Sequence, residues 1–167
     1  MKKILLLGVI LALVAVLVVP MAAFAATGTT QITGTVAQTI ALTQVPGTFS
    51  LDLVPGTSPE SENKTVTVKA NHVGWTLTVK EAGGSPDGKM AKADATPLAN
   101  AMQVKGGEQE SYETLLDGAA VTLVASGNAT SESGRSINDI KFKQQVTWAD
   151  LAGDYSITVT FTATPAV

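Results

Sequence analysis

"NHVGWTLTV", Asn71 to Val79, sets a Trp and a Leu two residues apart in a run of Thr and Val. Residues that alternate in character at a period of two lie on opposite faces of a strand. Trp75, Leu77 and Val79 therefore share one face and Thr76, Thr78 and Lys80 the other. Just upstream, "KTVTVKA" from Lys64 repeats the scheme, with Val66 and Val68 inward and Thr65, Thr67 and Lys69 outward. Strands with one apolar face and one hydroxyl-rich face belong to a sheet that covers a core on one side only.

The same period recurs downstream. "AAVTLVA" brings Val121 and Leu123 inward; "INDIKFKQQVTW" does so for Ile140, Phe142, Val146 and Trp148; "DYSITVTFTA" for Tyr155, Ile157, Val159, Phe161 and Ala163. "ITGTVAQTIALTQV" and "FSLDL" add two or three strands near the N-terminus. Turn residues fall between these runs, among them Pro46-Gly47, Pro55-Gly56, Gly106-Gly107 and Gly127-Asn128. Only "QESYETLLDGAA" reads at helical period, for one or two turns. About eight short antiparallel strands with this punctuation predict an all-β, single β-sandwich of Greek-key or immunoglobulin-like type. A small closed barrel has the same pattern.

Ahead of this body, "MKKILLLGVILALVAVLVVPMAAFA" puts two Lys before a sixteen-residue apolar run, then small residues at Ala23 and Ala25. That is the layout of a secretory signal peptide, residues 1–25, with cleavage after Ala25. An uncleaved anchor is the other reading, since the run is only a little short of a full span of about 20 residues. The expected mature chain, 26–167, is one domain by length, and residues 26–45 read as an extended N-terminal arm. Its side chains are 9 basic and 14 acidic, with no basic stripe to hold nucleic acid. The expected contact with membrane is through the signal alone.

Chemistry is read by subtraction. The chain has no Cys, so it offers no disulfide, thiolate ligand or thiol nucleophile. His72 is the single His, which removes a His-based zinc site or a Ser-His triad within one chain. Asp87, Asp94, Glu108, Glu110 and Glu113 lie in polar stretches without the apolar neighbours that would separate their pKa values. No D-x-[DN]-x-[DN]-G calcium loop is present. The expectation is a non-enzymatic protein with neither metal nor cofactor. Asn63-Lys64-Thr65 and Asn128-Ala129-Thr130 are matches to the glycosylation sequon.

"GWTLTV", the Thr-rich β body, the signal peptide and the closing "AGDYSITVTFTATP" together resemble the WxL-domain family of Gram-positive surface proteins. Trp75-Thr76-Leu77 matches that family's mid-domain Trp-x-Leu; near the C-terminus Tyr155 is present, but Phe161-Thr162-Ala163 stands where a second Trp-x-Leu belongs. The resemblance spans about residues 64 to 164 and implies a secreted, cell-surface protein that binds cell-wall polymer or other surface proteins in adhesion or surface assembly. It implies Trp75 and Leu77 as binding residues, with Tyr155 and Phe161 as weaker analogues. The strand period gives those positions another role, because Trp75 and Leu77 face inward and a core would select the same letters. "ADLAGDYSITV" likewise has the Asp-x-x-Gly-x-Tyr form of a tyrosine corner, in which the hydroxyl closes a loop onto nearby backbone.

A second function class follows from the arm. "ATGTTQITGTVAQTIALTQV" alternates over nearly twenty positions with no turn before Pro46, longer than an ordinary strand. Such a segment crosses between sheets of its own domain, or completes the sheet of a neighbour as the donor strand of an extracellular fibre.

Overall fold

The computed structural model describes residues 30–83 and 86–165. The expected signal peptide and the first residues of the arm lie outside the described residues. Eight antiparallel strands form two sheets. They are β1 (Ile40–Gln44), β2 (Lys64–Ala70), β3 (Trp75–Glu81), β4 (Gln103–Gly106), β5 (Gln109–Thr114), β6 (Val121–Gly127), β7 (Arg135–Lys143) and β8 (Val159–Thr164). The larger sheet runs β1-β2-β7-β4-β5 and the smaller β6-β3-β8, so neither closes into a barrel. The expected all-β sandwich is the observed one, and no α-helix occurs among the described residues.

Only β1–β2 and β4–β5 are successive strands paired with each other; every other connection passes from one sheet to the other. The inward faces of both sheets meet in one core. Val66 and Val68 of β2, Trp75, Leu77 and Val79 of β3, Val104 of β4, and Ile140 and Phe142 of β7 are all buried in it. Their period-two spacing is what the alternating sequence encodes.

Several sequence expectations are corrected. "QESYETLLDGAA" is not helical: Gln109–Thr114 is β5, the return strand of a hairpin that turns at Gly107 and Glu108, with Val104 opposite Glu113. Backbone φ is +67° at Gly107, and a Cβ there would press on the carbonyl of Leu123, so the turn requires Gly. "FSLDL" forms no strand, although Phe49, Leu51 and Leu53 still pack on the core. The alternating N-terminal segment is a strand only over β1; residues 30–39 have no strand.

β7 also breaks phase. Lys64 pairs with Ile140 but Val66 with Ile137, so β7 holds one extra residue there, a bulge. The bulge lets Ile137 and Ile140 both face inward and frees the Asp139 carboxylate to accept the Gly107 N–H at 2.9 Å. The strand then ends at Lys143. Val146 remains buried as expected, but Trp148 does not: it is 84% exposed. The inward alternation persists through Gln144 and Val146 and ends at the turn that follows Thr147.

Candidate functional site

Trp75 and Leu77 are both fully buried on β3, the central strand of the smaller sheet. The Trp75 indole N–H donates to the Asn128 carbonyl at 2.7 Å, and its ring lies against Gly127, its cross-strand partner on β6. The Arg135 guanidinium sits 5.7 Å from the ring centroid on the remaining side. Trp75 and Leu77 do not reach solvent, with only Thr76 between them half-exposed, and the pair packs β3 against β6.

Tyr155 sits apart from that pair. Its hydroxyl donates to the Leu151 carbonyl at 2.6 Å, four residues upstream, as expected for a tyrosine corner. Phe161 on β8 lies opposite Val79 and is buried. Tyr155 and Phe161 do come together, in the wall of a cleft of about 380 Å³ beside β8 and past the end of β1. The chain from Val45 to Leu51 forms the other wall, and Met90, Met102 and Phe142 line it as well. Of the four residues singled out in the sequence, this cleft gathers two and the core keeps two.

The sandwich is sealed on one side and open on the other. At the β6 edge, Val121, Leu123 and Val124 are buried. β5 packs against that edge. At the β8 edge, Val159 and Ala163 point inward yet stay half-exposed, as do Ile40 and Leu42 on the facing β1. The cleft is the uncovered part of the core.

A second exposed apolar feature was not legible in the alternating pattern. Trp148 occupies a tight turn built by Asp150, whose carboxylate accepts the Thr147 N–H at 2.7 Å, the Thr147 hydroxyl at 3.0 Å and the Ala99 N–H at 2.7 Å. Partial burial pushes the Asp150 carboxyl upward, but these hydrogen bonds outweigh it and hold the group below the usual carboxylate range. The Trp148 ring edge rests over Gly56, where φ is +80° and a Cβ would come within 3.0 Å of the indole nitrogen. Val54 and Leu151, in the same two turns, are also exposed. A large aromatic held on a rigid turn in water is a poor choice for stability and a good one for contact.

No protein-family model matches the chain, and no curated protein matches it. The resemblance to WxL domains therefore stands on Trp75-Thr76-Leu77 and the general layout. His72 is in the turn between β2 and β3, buried, with neither ring nitrogen hydrogen-bonded to protein. The acidic residues are dispersed into structural roles: Glu108 accepts the Ala125 N–H and pairs with Arg135, and Asp94 accepts the Thr96 N–H. Among the described residues, no three His, Asp or Glu side chains are grouped to hold a metal.

Proposed function

We propose that this is an exported, non-enzymatic protein of the cell surface that binds cell-wall or other surface polymers, and that it does so through the Trp148 turn. The observation that carries this reading is the exposure of Trp148 on a turn fixed by three hydrogen bonds to Asp150. A presented indole offers a flat apolar face, suited to the ring faces of a saccharide chain. The signal-like N-terminus and the Thr-rich outer faces support the surface location. Trp75 takes the structural part in this scheme, holding β3 against β6.

The test is retention of the purified mature chain on isolated cell walls. Trp148→Ala should lose most of the retention while melting at the same temperature, and Trp75→Phe should keep it. Equal retention of the Trp148→Ala variant and the parent chain would sink the reading.

A further inference from the structure

From the open cleft and the exposed N-terminal segment, we infer that a second copy of this chain supplies the missing strand: its residues 30–36 add beside β8 and set Ile32 and Val36 into the cleft between β8 and the chain from Val45 to Leu51. The inference is independent of the polymer-binding reading.

Three observations converge on it. The first is the donor's pattern. In sequence, Ile32, Gly34, Val36, Gln38, Ile40 and Leu42 stand two apart, the spacing of one strand face, and in β1 that face packs on the core through Ile40 and Leu42. Ile32 and Val36, at the same spacing, are 93% and 86% exposed. A strand-like segment with an apolar face and no sheet is a donor without an acceptor.

The second is the acceptor. β8 pairs with β3 along one side only, from Thr76 opposite Thr164 to Glu81 opposite Val159, which leaves the row of backbone groups on its other side free for a ladder. Beside that row the half-exposed Ile157 and Val159 line the cleft, together with Phe161. An added strand would give those backbone groups partners and cover the apolar wall in one step.

The third is polarity. At the entry to β1, the Asn71 side chain accepts the Thr39 N–H at 2.8 Å and donates to the Ala37 carbonyl at 2.8 Å, ending the ladder beside the start of β3. The cleft begins at Val45, past the other end of β1. The tie at Asn71 and the cleft thus sit at opposite ends of β1, and the stretch from Thr35 to Thr39 contains no Gly or Pro to form a turn. Insertion into a neighbour is a head-to-tail contact, and repetition gives an open series, not a closed dimer.

The chain's lack of Cys makes the contact directly measurable, because any disulfide reports only introduced residues. One sample of the mature chain carries Val36→Cys and a second carries Ile157→Cys; they are mixed and oxidised, and Thr122→Cys on the exposed face of the opposite edge strand β6 replaces the second in a control. The expected result is a disulfide-linked pair of the first two in at least tenfold excess over the control. Light scattering of the unmodified mature chain should show mass rising with concentration. The chain lacking residues 26–36 should stay monomeric, melt within a few degrees of the parent, and bind a synthetic peptide of residues 30–36. Crosslinking no stronger than the control would overturn the proposal. So would assembly that survives the truncation, or a truncated chain that binds no peptide.

Discussion

The Trp75 indole lies against Gly127 on the neighbouring strand so closely that a methyl group at position 127 has no room. This pair, completed by the Trp75 N–H on the Asn128 carbonyl, is the tightest joint of the smaller sheet. Gly127→Ala should destabilise the protein as much as a core truncation, about 3 kcal/mol or more. Trp75→Ala should cost about 3–5 kcal/mol. Trp75→Phe should cost less, keeping the aromatic volume but leaving the Asn128 carbonyl short of a donor. Urea denaturation would check the order, and a Gly127→Ala variant as stable as the parent would contradict the geometry.

The two tryptophans should separate cleanly by fluorescence. Trp75 is fully buried and Trp148 is 84% exposed. Emission from Trp148→Phe, which reports Trp75, should be blue-shifted and resist acrylamide. Emission from Trp75→Phe, which reports Trp148, should be red-shifted and quench readily. The reverse assignment would place Trp148 in the core, as simple alternation from Phe142 had it.

Tyr155→Phe removes the hydroxyl that bonds the Leu151 carbonyl and leaves the ring. The expected cost is about 1 kcal/mol. It would be measured as a lower denaturation midpoint with unchanged slope. Retention on cell walls should not change, because the corner is a loop fastening. Loss of retention with unchanged stability would make Tyr155 a contact residue.

Asp150 sets a pH dependence. Its folded pKa lies below its unfolded value, so the carboxylate favours the folded state. That contribution is complete above the ordinary Asp pKa of about 3.9 and drains away as pH falls through the lower, folded value. Asp150→Asn should therefore destabilise the protein at neutral pH and flatten the acid limb of the stability curve near and below about pH 4. If the variant and the parent lose stability in parallel as pH falls, Asp150 is not the group responsible.

Much of the fold is legible in the sequence because period two and Thr on the solvent face are local signals. β3 keeps that pattern from Trp75 to Val79, and β2 departs from it at Thr67, which is buried against Gln44 and Ser136. The β4–β5 hairpin is hidden because Gln109–Thr114 lies at a sheet edge and carries Glu110 and Glu113, so it has no continuous apolar face to announce a strand. Trp148 is misread because the inward alternation runs on through the buried Gln144 and Val146 and is broken only by the turn that Asp150 fixes at Thr147. The cleft could not be read at all. It exists because β8 joins β3 and not β1, and which sheet a strand enters is decided by contacts far apart in sequence.

The sheet order also governs when the molecule can form. β2 needs β7 beside it, and β3, the centre of the smaller sheet, needs β8. An emerging nascent chain that stops short of residue 135 has neither of those partners. Such long-range pairing makes folding slow. Lateness would suit export: a chain translocated unfolded stays threadable until its last strand has passed.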